Sequence, residues 1–260
     1  MSLAAAYARI LADPHGDESR LAYADLAEPT GPDHAWLIRE QVAYVRDRAA
    51  NVDWPPRRVT TMYSSSRKLM WGLVPEVIRD LLTEGFEVRR GFIESVTLPV
   101  AALPAGLGRL TAALPLRRLR LTGATPAALN GLAGVADLLP GLQQLRGLSL
   151  EREPVGDAGL AALPPLPGLR WLDLSRTGVT AAGLEALAAS DGFPQLQYVL
   201  ADRELGLNPD PGYDSDGTLV WVGEARLAAQ LGQRYERPWL HRGDRDVRDA
   251  GYVGPNYDEV

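Results

Sequence analysis

The chain of 260 residues is long enough to bury one large core or two smaller ones. Hydrophobic residues make up 46% and charged residues 23%, a composition that excludes global disorder. The formal net charge of −6 argues against a general nucleic-acid binder, and the lack of cysteine excludes disulfides and a thiol nucleophile. The chain has no apolar run of membrane-spanning length and no signal-peptide pattern at its start. We therefore expect a cytoplasmic protein without a membrane partner.

Residues 1–92 are predicted to form a helical module. Apolar spacing indicates a short helix from Leu3 to Leu11, and Asp17 is a candidate N-cap for a second helix that runs to about Glu28. Pro32 suits the first turn of a third helix, and a last helix is predicted to end at Gly85.

Three stretches of this module carry a family resemblance: Ile10–Pro14, Arg20–Asp25 and Leu37–Gln41. They resemble the bacterial repeat-companion domain, a short helical module usually found upstream of leucine-rich repeats. The resemblance implies an architecture and no particular chemistry.

An acidic cluster in the same module has two interpretations. Asp13, Asp17 and Asp25, with Arg20 and Arg39, have the residue types of a metal or catalytic site. Their spacing matches no hydrolase or metal motif. We therefore interpret them as helix caps and ion pairs that hold the helices together.

One phrase of the form L-x-x-L-x-L recurs through residues 93–205. Its copies end at residues 98, 121, 150, 174 and 201, and the last copy is weaker. The last two apolar positions of each copy alternate as along a short strand with one face inward. Between the phrases, Val155–Leu163 and Val179–Leu187 repeat a turn and a helix, with Thr180 as a candidate N-cap.

These repeats resemble the leucine-rich-repeat family in its bacterial variety, and Leu169–Leu184 matches that pattern nearly throughout. The resemblance implies an α/β fold: a leucine-rich-repeat solenoid of about five repeats over residues 93–205. The helical module of residues 1–92 would precede the solenoid, and residues 206–260 would form a C-terminal cap and tail.

The residues that flank the inward leucines are predicted to line the concave face of that solenoid. Trp171 and Tyr198 are expected side by side next to Gly147. The acids Glu151, Asp173 and Asp202 are expected in one row across neighbouring strands. Neighbouring aromatic and charged side chains are typical of binding hot spots, unless the cap covers them. The candidate binding residues are Arg118, Arg120, Ser149, Glu151, Trp171, Asp173, Ser175, Tyr198 and Asp202.

Catalytic, metal and cofactor sites are not predicted. His15, His34 and His241 form no ligand pair, and the sequence has no phosphate-binding loop or nucleophile elbow. We expect a non-enzymatic scaffold that binds another protein or peptide. The alternative is a recognition body that presents its tail, residues 251–260, as the substrate of a modifying enzyme.

Overall fold

The computed structural model describes residues 1–49, 62, 66, 68–132, 142–205, 207, 210–213, 219–222 and 226–240. The chain divides into two compact units. The first unit comprises residues 1–98 and 105–119, and the second comprises residues 99–104 and 120–258.

Three helices open the chain: α1 (Leu3–Ala12), α2 (Glu18–Ala27) and α3 (Pro32–Ala49). Their positions agree with the first three predicted helices. The Ser2 hydroxyl caps α1 by accepting the Ala5 N–H at 3.2 Å. Their apolar faces form one buried cluster with Phe92, which includes Ile10, Ala24 and Ile38.

A 3-10 helix at Glu76–Leu82 and two strands follow, β1 (Phe86–Arg89) and β2 (Phe92–Pro99). The strands form an antiparallel hairpin whose two turn residues, Arg90 and Gly91, have φ of 48° and 80°. Two left-handed residues are what a tight hairpin needs, because their twist matches that of the strands.

The rest of the chain alternates strands and helices. After α4 (Leu103–Ala113) come β3 (Arg118–Thr122), α5 (Pro126–Leu132), β4 (Gly147–Ser149), α6 (Gly156–Ala161), β5 (Trp171–Asp173), α7 (Ala181–Ala189) and β6 (Tyr198–Leu200). A separate hairpin, β7 (Asp210–Tyr213) with β8 (Leu219–Val222), precedes α8 (Arg226–Gly232). The predicted cap of α7 is confirmed, since Thr180 accepts the Ala182 N–H.

The first six strands form one sheet in the order β1-β2-β3-β4-β5-β6. The β4–β5 and β5–β6 pairs are parallel, and Leu148, Leu172 and Val199 lie level with one another. The interior positions of the repeated phrase are therefore in register across three strands.

The predicted leucine-rich-repeat solenoid is wrong. The structure is an α/β fold with helices and a mostly parallel six-stranded sheet that starts with an antiparallel hairpin. All three residues of β4 and of β5 are buried. The repeated L-x-x-L-x-L pattern predicts that one face of each strand is buried. It does not show whether other residues pack on the opposite face or whether the sheet curves into a solenoid.

Candidate functional site

The candidate binding residues lie on and just after β3 to β6. Trp171 pairs with Gly147 on one side and with Tyr198 on the other, as the repeat phasing predicted. The lateral order of these three residues is therefore confirmed.

Four of the nine candidates are buried in the unbound chain. Trp171 is 5% exposed, and Arg118, Ser149 and Asp173 are buried with it. Arg120, Glu151, Ser175, Tyr198 and Asp202 have intermediate exposure. The expected exposed pair of aromatic side chains is thus absent, because only Tyr198 reaches the surface in part.

The three acids Glu151, Asp173 and Asp202 do not lie in the one row that had been expected. Asp173 is level with Ser149 and Leu200, so it does not share a row with Glu151 and Asp202. It accepts hydrogen bonds from the Ser175 N–H at 2.9 Å and from the Ser149 hydroxyl at 3.5 Å. Burial raises the pKa of Asp173, although the Ser175 hydrogen bonds oppose the shift.

Charged residues also lie in the turns that directly follow the strands. Glu151 lies 3.4 Å from an Arg120 Nη1 and 3.2 Å from Arg152 Nε. The Arg152 N–H donates to the Ser175 carbonyl, and the Arg176 N–H donates to the Asp202 carboxylate. We call this set the strand-end edge: Arg120, Glu151, Arg152, Ser175, Arg176 and Asp202.

Two arginines of the strand-end edge have an uncommon backbone conformation. Arg152 and Arg176 have φ of 66° and 58°, in the left-handed region that costs a non-glycine residue about 1 kcal/mol or more. Each stands two residues after the last leucine of its phrase, and the matching position in an earlier phrase is Gly123, with φ of 66°. Neither arginine was among the predicted binding residues, although the change from Gly to Arg at this turn is visible in the repeats.

Asp17 and Asp25 serve as ion-pair partners, whereas the Asp13 side chain accepts the backbone N–H groups of His15 and Gly16. Asp25 lies 3.0 Å from Arg39, and Asp17 lies 3.1 Å from Arg90. Among the residues that the structure describes, no group of three or more histidine and acidic side chains is placed to hold a metal ion. The interpretation as helix-tying pairs therefore fits Asp17 and Asp25, whereas the predicted cap is wrong in that the Asp17 side chain makes no capping hydrogen bond to α2.

A buried charge cluster lies next to these pairs. Glu94 contacts Arg20 at 2.5 Å, Arg90 at 2.9 Å and Arg117 at 3.4 Å. Burial alone would raise the pKa of Glu94, and the three guanidinium groups outweigh burial and hold it at about 2. The cluster joins the helices to β2 and offers no free acid for chemistry.

Comparison with known proteins adds no family to this picture. No protein-family model matches the chain, and no curated protein is significantly similar to it. In the described part of the chain, no helix is both long and apolar enough to cross a bilayer. His241 and the tail of residues 251–260 lie outside the described residues.

Proposed function

We propose that the protein is a non-catalytic interaction module that binds another protein through the strand-end edge. The main support is that Arg152 and Arg176, on the turns after two neighbouring strands, both have a left-handed backbone conformation. Glycine would relieve the strain at both positions, as it does at Gly123. Backbone strain at a position where glycine would fit without strain indicates that the side chain is kept for a function.

The charges of the edge indicate the chemistry of the partner. Glu151 is held between Arg120 and Arg152, and Asp202 accepts the Arg176 backbone N–H. The side chain of Arg152 is 61% exposed, and Arg176 is exposed as well. Within the described residues, the Arg176 guanidinium has no ion pair. We therefore infer that the partner presents carboxylates, which guanidinium groups bind in a bidentate manner.

The proposal replaces the aromatic anchor expected from the sequence. Trp171 is already buried, so binding through its ring would require the covering residues to move. Arginine is itself enriched at protein interfaces, and exposed arginines can bind without such a rearrangement. Tyr198 stays a predicted contact because it is partly accessible.

Two further expectations belong to the proposal. The absence of cysteine favours a reducing compartment, and we expect the cytoplasm. The likeness of Ile10–Gln41 to the bacterial repeat-companion domain supports membership of that family, which implies an architecture for the first unit and no particular chemistry.

The test is affinity capture from the native host with quantitative mass spectrometry. We expect the wild-type chain to enrich a partner, and the double variant R152G/R176G to lose at least about 90% of it. Glycine suits both backbones, so the variant keeps its fold. The double variant R46A/R234A makes the same charge change at side chains that are 53% and 54% exposed. Equal capture by the edge variant and this control contradicts the proposal.

A further inference from the structure

The first unit contains a cavity of about 190 Å³ that the proposed function does not use. It lies among α1, α2, α3, β2 and the helical residues 68–73. Its described lining consists of Tyr7, Tyr23, His34, Met70, Leu73, Val74, Pro75, Phe92, Ile93 and Leu114. We call it the aromatic pocket. No charged side chain occurs among these described lining residues.

Four rings form one side of the aromatic pocket. Tyr23 and His34 meet Phe92 edge to face, with ring centroids 5.4 Å and 5.3 Å apart, and Tyr7 lies 5.8 Å from Phe92. Phe92 and Ile93 are almost fully buried, whereas Leu73 is 50% exposed. The pocket therefore has a wall of aromatic rings and an accessible residue at its rim.

The polar groups of the pocket differ in how they are used. The Tyr7 hydroxyl donates to the Ala113 carbonyl at 2.5 Å, and His34 Nε2 donates to the Gly91 carbonyl at 2.8 Å. Burial lowers the pKa of His34, so its imidazole is neutral at neutral pH. Within the described residues, the Tyr23 hydroxyl has no hydrogen-bond partner. The Tyr23 hydroxyl can therefore bind a polar atom of a ligand.

We propose that the aromatic pocket binds a small, uncharged molecule with one aromatic ring and one hydrogen-bonding group. Size favours a single ring, because an apolar cavity of about 150 Å³ is enough to bind benzene. The uncharged lining disfavours an ion, which would lose its hydration without a counter-charge. The ring would pack against Phe92 and its neighbours, and the polar group would bind the Tyr23 hydroxyl.

Phenol and toluene are suitable probes because they differ by one hydrogen-bonding group. Titration of the full chain, followed by NMR or calorimetry, is expected to show saturable binding of both, with phenol binding at a Kd of roughly 0.1–1 mM. Y23F keeps the ring and removes the hydroxyl. We expect it to weaken phenol binding about fivefold and to change toluene binding by less than twofold.

Two glutamate substitutions locate the binding site. L73E places a charge at the rim, and we expect it to weaken both probes at least about tenfold. V77E is the matched control, because Val77 is 59% exposed, lies close to Leu73 in the sequence and is not among the residues that line the pocket. The proposal is overturned if neither probe binds the folded wild-type chain or if both glutamate variants bind alike. Equal weakening of both probes by Y23F overturns it too.

Discussion

Glu94 is the residue on which the charges of the first unit converge. Its carboxylate is 3% exposed and contacts three arginines, which keep its pKa at about 2 against an ordinary value of 4.5. Because the pKa is lower in the folded chain, the stabilisation by Glu94 is complete above pH 4.5. It is lost as the pH falls toward 2.

We predict that E94Q lowers the free energy of unfolding of the first unit by about 3–5 kcal/mol, because three buried guanidinium groups lose their counter-charge. E76Q is the control, since the Glu76 side chain is 91% exposed and its ion-pair partner among the described residues, Arg79, is itself 43% exposed. It should cost less than about 1 kcal/mol. Denaturant unfolding at pH 7 measures both variants, and an equal effect would contradict the importance of the buried cluster.

Asp173 has the opposite electrostatic balance. Burial raises its pKa, so the folded state favours the protonated acid and stability declines as the pH rises through that pKa. We predict that D173N leaves the free energy of unfolding at pH 7 unchanged or up to about 1 kcal/mol higher. The amide oxygen can still accept the Ser175 N–H.

Denaturant unfolding between pH 4 and pH 7 is the measurement for D173N, and we expect a smaller decline over this range than in the wild type. D191N serves as the exposed control, because the Asp191 side chain is 98% exposed. A loss of more than about 1 kcal/mol in D173N at pH 7 would show that the ionised carboxylate stabilises the fold.

At the scale of elements, the β1–β2 hairpin fits tightly against α3. A Cβ at Gly91 would collide with the Ile38 side chain and lie 2.8 Å from the Ile38 Cα, and the φ of 80° is itself strained for any other residue. We predict that G91A costs at least about 2 kcal/mol. G108A is the control: Gly108 lies in α4 with open space around it, so the change should stabilise by about 0.5–1 kcal/mol. Thermal unfolding of both variants distinguishes them, and similar melting temperatures would contradict this packing.

Local elements were largely predictable because their signals are local. Pro32 begins α3 and Thr180 caps α7, as first-turn and capping residues should. The level pairing of Trp171 with Tyr198 followed from the phasing of the repeated leucines. Helix starts and lateral register therefore needed no knowledge of the tertiary fold.

The burial of the candidate site was not predictable in the same way. Trp171 and Asp173 were expected at the surface because they alternate with inward leucines, yet both are buried. Cover on the second face of a strand comes from residues far away in sequence, which a local period of two does not record. The left-handed turns at Arg152 and Arg176 likewise depend on backbone geometry that arginine does not signal.

At the scale of the whole molecule, two units offer two kinds of surface. The second unit carries the strand-end edge, with exposed arginines and paired acids, and the first carries an uncharged aromatic pocket. We propose that the molecule binds a partner protein through the strand-end edge, with Arg152 and Arg176 as the contacts.

The direct test is arginine labelling with phenylglyoxal, mapped by mass spectrometry and compared between the free chain and the chain bound to the captured partner. We predict that Arg152 and Arg176 react in the free chain and that the partner protects both at least about fivefold. Arg46 and Arg79, which are 53% and 43% exposed, should react equally in both states. Unchanged labelling of Arg152 and Arg176 in the complex would contradict the claim.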